Sequence, residues 1–166
     1  MPINITWSAR IYAVQAAQPY MDHDHVYQLE LRDGDGNLIP NALGNFLYII
    51  QNQDGVPVYA GQADRLRNRF DARGRVLREF GLNPAEVLAG YTVRTATVAP
   101  GAQLNAAERW LVRILYLADQ DAEEQTLTNV ALTQAFEATE DLTINNLGTV
   151  PGYLEDQYEY DEGAEI

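Results

Sequence analysis

The sequence predicts an α/β domain of the α+β kind, with a small central three-stranded mixed sheet flanked by helices and an N-terminal β extension. Three observations carry that prediction. Two apolar runs, "FLYIIQ" and "VPVYAG", stand on either side of turn residues. A third strand-like run, "YTVRTATV", follows an arginine-rich helical stretch. Finally, "LNAAERWLVRILYLAD" carries apolar residues at helical spacing, with Trp110, Leu111, Ile114, Leu115 and Ala118 along one stripe. At 166 residues and 46% hydrophobic composition the chain is long enough for one sizeable core. The division expected is an N-terminal strand pair and turn over 1–43, the main domain over 44–154, and an acidic, disordered tail over 155–166.

In order, "NITWSARIYAV" and "HVYQLELRD" read as two strands, with β-branched and aromatic residues in partial alternation. "RDGDGNLIPNALG" reads as a turn. Asp33, Asp35 and Asn37 match the first ligand positions of a calcium loop, but Leu38 and Gly44 stand where glycine and glutamate are needed. The hairpin loop Asn52-Gln53-Asp54-Gly55 sets the register of the next two strands: four loop residues pair Tyr48 with Tyr59, two pair Ile50 with Tyr59. Both registers put the two phenols on one face. "QADRLRNRFDARGRVLREFG" predicts a helix, "NPAEVLAG" a short one from Pro84, and "EEQTLTNVALTQAFEATED" another. "LTINNLGTVPGYL" reads as a loop or short strand, and "EDQYEYDEGAEI" as a solvated end.

Charge narrows the function. The net charge of −13 argues against a general nucleic-acid binder. Its distribution changes that: residues 1–118 hold eleven arginines and eleven acids, whereas residues 119–166 hold thirteen acids and no cation. Six arginines lie in residues 59–78 against two aspartates, and the chain has no lysine. There is no apolar run of membrane-spanning length and no basic-then-apolar leader, so the expectation is no membrane partner and a cytoplasmic location, with non-Sec export left open. No cysteine and only His23 and His25 are present, which argues against thiolate or multi-histidine metal sites.

The ordered motifs resemble the GIY-YIG endonucleases. "FLY" at 46–48 stands where that family has GIY, and "YAG" at 59–61 where it has YIG, with the tyrosines at the family's spacing. Arg69 falls at the family's catalytic arginine, and Glu108 in "AAERWLVRIL" at its metal ligand. Phe46 stands in place of the first glycine, Ala60 in place of isoleucine, and no histidine follows the arginine helix. The family's later asparagine has three candidates, Asn129, Asn145 and Asn146, of which Asn146 is preferred.

The resemblance implies hydrolysis of DNA phosphodiester bonds with one Mg²⁺ or Mn²⁺ held by Glu108. Tyr48 would act as, or relay to, the general base; Tyr59 would orient water or phosphate; Arg69 would stabilise developing charge; Asn146 would order the site. Arg73, Arg65 and Arg67 would bind substrate.

Residue patterns supply the alternatives. Helical spacing puts Arg69 and Arg73 beside Leu66 and Phe70, facing the protein body, where a guanidinium needs an anion: a phosphate or an acid of the fold. Arg65 and Arg67 project sideways, as a solvated face or as steering charge. Glu108 lies in an apolar stripe with Leu111, Val112 and Leu115, yet Asn105 to Glu108 is also an N-x-x-E capping box that needs no metal. Two rivals follow for the whole chain. One is an inactive GIY-YIG-like interaction module using its acidic third; the other is a nuclease effector held inactive by a protein partner.

Overall fold

The computed structural model describes residues 1–16, 29–71 and 90–166. His23, His25, Arg73, Arg75, Arg78 and the helix expected from Pro84 lie outside the described residues.

The architecture is α+β, and its sheet is larger than the three strands expected. The strands are β1 (Pro2–Ala16), β2 (Leu29–Arg32), β3 (Phe46–Gln51), β4 (Pro57–Ala63), β5 (Thr92–Ala99), β6 (Leu142–Gly148) and β7 (Gln157–Tyr160). The helices are α1 (Leu66–Asp71) and α2 (Leu104–Asp121), the second entered through a 3₁₀ turn at Gly101–Gln103. Sheet order is β4-β3-β5-β1-β6-β7, with β2 paired to β1. The expected trio β4-β3-β5 is therefore one end of a seven-stranded mixed sheet.

The reason is the length of β1. Its 15 residues pair antiparallel with β5, parallel with β6 from Pro2 to Trp7, and antiparallel with β2 from Ala13 to Ala16. The N-terminal strand pair is thus part of the sheet's middle and not an appendage. A register break between Trp7 and Ile11 lets one strand serve both neighbourhoods.

Side chains alternate across the sheet, and both faces are covered. On one, Ile3, Ile5, Trp7, Leu47, Ile49 and Ala96 pack with Ala107, Trp110, Leu111 and Leu115 of α2. On the other, Tyr12, Val14, Leu29, Tyr48 and Ile50 pack with Leu66 and Phe70 of α1. Burial on both sides explains why β3 reads as an unbroken apolar run.

Two expectations fail downstream. No helix forms over 123–141. Asp119 Oδ1 instead accepts the backbone N–H of Thr126 (2.7 Å) and Leu127 (3.0 Å), holding an extended segment against β4. There Thr128 donates from its backbone and its hydroxyl to the Val58 carbonyl, each at 2.8 Å. Threonine and asparagine side chains compete with helical hydrogen bonds by offering such alternatives.

The C-terminal segment is ordered, contrary to expectation. β7 pairs antiparallel with β6, and Tyr158 meets the Trp110 ring edge-on at 5.0 Å. Trp110 Nε1 donates to the Tyr160 hydroxyl at 3.1 Å, and Ile166 is buried. Two aromatic anchors and a buried end offset the entropy of ordering this acidic stretch. The "RDGDGN" turn is as predicted: Asp33 Oδ1 accepts the backbone N–H groups of Asp35 and Asn37, both at 3.0 Å.

Candidate functional site

The β3–β4 hairpin fixes the register left open by the sequence. Tyr59 pairs with Ile50 and Gly61 with Tyr48, so both phenols share the α1 face. Their rings stack at 6.2 Å between centroids with 30° between planes, and Phe70 meets Tyr48 edge-on at 5.5 Å. Arg69 Nε donates to the Tyr48 hydroxyl at 3.4 Å. Two tyrosines and one arginine named from the sequence therefore do come together.

Access divides them. Tyr48 is 0% exposed, whereas Tyr59 and Arg69 are half-buried. A general base must reach water or substrate directly or through one intermediary. Tyr48 can only relay, and Tyr59 is the phenol at the surface.

Glu108 sits on the other face. Gln62 pairs with Leu47, on the α2 side, and Gln62 Nε2 donates to Glu108 Oε1 at 3.1 Å and to Asn105 Oδ1 at 2.6 Å. The capping-box alternative fails here. The helix begins at Leu104, its cap residue Gln103 makes no side-chain bond, and Asn105 turns its oxygen to Gln62. Glu108 is half-buried and aimed at β4, as its place in the apolar stripe implied.

The two groups flank one short stretch of β4, the terminal strand of this end of the sheet. Gly61 is the dividing point. A Cβ there would stand 2.7 Å from the Tyr48 hydroxyl oxygen, so that phenol lies directly against the Gly61 backbone. Gln62, next in sequence, carries the opposite face toward Glu108 and Asn105. The quartet does not line one concave patch; it brackets a strand from both sides.

The asparagines separate clearly. Asn129 Oδ1 accepts the Ala60 N–H (3.0 Å) and its Nδ2 donates to the Ala60 carbonyl (2.9 Å), gripping the centre of "YAG". Asn146 is buried on β6, accepting from Trp7 Nε1 at 3.0 Å and donating to the Glu155 carbonyl at 2.8 Å. It lies three strand positions from β3, about 14 Å at the usual spacing. Asn145 donates to Asn4 Oδ1 at 3.0 Å and is equally remote. Asn129 is the one beside the motif, and Gln62 was not singled out at all. The signal for both was their closeness in sequence to YAG and to the threonines of "TLTN".

Arg65 and Arg67 are neither a free surface nor ion-paired in the described residues. Arg67 donates from Nε (3.0 Å) and Nη2 (2.6 Å) to the Ile39 carbonyl, and Arg65 from Nη1 to that of Asn41 at 3.2 Å. They pin the 39–42 loop over the α1 face.

Whether the α2 side can take a cation is a question of donor chemistry. The Gln62 amide nitrogen stands where Glu108 and Asn105 oxygens converge. Turning that amide presents an oxygen, giving a carboxylate and two neutral oxygens suited to Mg²⁺. Among the described residues no group of three His, Cys, Asp or Glu side chains gathers. Such an ion would depend on substrate oxygens and water for its remaining ligands. No described helix is long and apolar enough to cross a membrane. No family model, curated protein or solved structure matches this chain.

Proposed function

We propose that the chain is a divalent-metal-dependent nuclease that cleaves DNA phosphodiester bonds at the Gly61–Gln62 end of β4. One observation carries the reading: a phenol–arginine group and a carboxylate–amide group flank the same two residues. A phosphate cleaved here would lie at the strand's edge, with Arg69 and Tyr59 reaching it round one face and Glu108 round the other. Glu108, Asn105 and a turned Gln62 would hold Mg²⁺ or Mn²⁺, which when bound neutralises phosphate charge.

The residues themselves divide the remaining work. Arg69 supplies a fixed cation for charge that builds on the phosphate oxygens. Tyr59 orients the attacking water, while Tyr48 holds Arg69 and passes polarity through its hydroxyl. Asn129 fixes the strand that positions them. Replacing Glu108 with alanine is expected to abolish Mg²⁺-dependent cleavage, a loss of at least a hundredfold, with the melting curve unchanged. Cleavage by E108A at the parent rate sinks the assignment.

A second reading is favoured by the sheet that stands between Tyr48 and Glu108. In it the chain is a non-catalytic relative whose acidic third binds a basic partner. Wild-type chain inert toward single- and double-stranded DNA with either metal supports that reading. A nuclease effector kept silent by a partner requires activity of the isolated chain, which the same assay measures.

A further inference from the structure

One rung from Tyr48, a cavity of about 330 Å³ opens on the α1 face. It lies at the lower end of the range for small-ligand sites, about 300–1,000 Å³. Phe46, Thr97 and Thr6 face one another across β3, β5 and β1 and form its floor, with Thr95 beside them. Ile39, Pro40, Ala42 and Leu66 also line it.

Its chemistry is specific. The lining is mainly apolar, with one aromatic ring held in place by close contact with Gly44, where an added Cβ would be 2.7 Å from the Phe46 ring. Thr95 is 6% exposed and makes no side-chain hydrogen bond among the described residues. Hydroxyls both donate and accept, so a planar heteroaromatic edge carrying both kinds of group suits them. The rim is the 39–42 loop pinned by Arg65 and Arg67. A guanidinium has five N–H donors, and these contacts leave donors over for an anion at the mouth. An apolar slot with threonine hydroxyls on its floor, bordered by a loop that two arginines hold, is complementary to a nucleotide.

We propose that this cavity is a nucleobase subsite, taking one unstacked base on Phe46 with its edge toward Thr95 and Thr97 and its phosphate toward Arg65 and Arg67. The proposal rests on the nuclease reading for its substrate and narrows that substrate to strands with an accessible base. Extracting a base from a duplex costs a few kcal/mol, so single-stranded or distorted DNA is preferred. Phe46 occupies the place where the resembled family has glycine, so the platform is an addition of this chain.

The test is calorimetric titration of the full chain, in EDTA, with dAMP, dTMP and 2-deoxyribose 5-phosphate. Both nucleotides are expected to bind at least tenfold more tightly than the sugar phosphate. Thr95→Val, which is nearly isosteric, is expected to remove that advantage while leaving sugar-phosphate affinity and the circular-dichroism melt unchanged; Phe46→Ala is expected to remove it as well, with a lower melt because the ring packs on the core. The single-stranded pentanucleotide dT5 identifies the source: tighter binding than dTMP points to a strand, equal binding to a free nucleotide. Equal affinity for nucleotides and sugar phosphate, unchanged binding by T95V, or no binding at millimolar nucleotide overturns the proposal. Nucleotide binding with no DNA cleavage keeps the subsite and defeats the nuclease reading. Cleavage with no nucleotide binding does the reverse.

Discussion

A methyl group at Gly61 would meet the Tyr48 hydroxyl oxygen at 2.7 Å, in a position where Tyr48 is packed on every side. Gly61→Ala is therefore expected to cost about 1–3 kcal/mol, as overpacking does, and to move Tyr48 away from Arg69. Denaturant unfolding measures the first effect, and, on the proposed nuclease reading, loss of cleavage beyond the fraction unfolded measures the second. Glycine was legible here only as part of a motif; its reason is close approach of a phenol. The arginines teach a related lesson. Sequence spacing distinguished Arg69 from Arg65 and Arg67 by direction, and the structure agrees that Arg69 turns to Tyr48. Spacing could not foresee that carbonyl oxygens of a distant loop would take Arg65 and Arg67. Arg113 behaves likewise, donating to the carbonyls of Thr133 (2.7 Å) and Ile166 (3.0 Å). Arg94 is buried with its Nη2 on the Thr149 carbonyl at 2.5 Å and its Nε without a partner in the described residues. Such partners depend on which loops fold back, which local periodicity does not record.

β7 is the element whose signal was present and misread. In "QYEY" glutamine and glutamate alternate with tyrosines, and the burial alternates with them: exposed, half-buried, exposed, half-buried. That is a period of two, the mark of a strand with one covered face, masked by an acidic composition. The strong period of α2 was legible almost to its ends, because eighteen residues average out local exceptions. The 123–141 segment went wrong because side-chain capping of β4 outweighs a weak helical pattern. Removing residues 157–166 withdraws Ile166 from the core, at about 1.5–3 kcal/mol, and the half-buried Tyr158 and Tyr160 at less each, together with the β6–β7 pairing. Against a total stability of about 5–15 kcal/mol, the truncated chain is expected to lose its cooperative melt. Replacing the exposed Glu155, Glu159 and Glu162 with glutamine keeps the fold. On the proposed nuclease reading it is expected to tighten DNA binding several-fold at low salt and little at high salt, as measured by fluorescence anisotropy.

Across the whole molecule, charge and burial are arranged along the sheet: arginines gather at α1 beside β3 and β4, acids around β6 and β7. The phenols add a pH limit. Burial raises the pKa of Tyr153 well above the ordinary phenol range, with nearby Arg94 opposing it. Tyr12, Tyr158 and Tyr160 are also raised, chiefly by burial. A raised phenol stays protonated in the fold while the unfolded chain ionises at about pH 10. Stability is thus retained below that pH and lost as pH rises through the folded values. Alkaline unfolding is expected to coincide with tyrosinate absorbance, and Tyr153→Phe to make stability fall less steeply with pH, by up to about 1.4 kcal/mol per pH unit. The Asn129 grip on Ala60 has a colloidal consequence as well. Together with Thr128 it caps backbone groups on the outer side of β4 that would otherwise template a strand from another molecule. β7, at the far end, carries Gln157 and Glu159 on its exposed positions, and the charge of Glu159 discourages pairing there. Asn129→Ala is expected to make the protein self-associate with rising concentration in light scattering, starting from β4, so one side chain serves solubility as well as the hairpin.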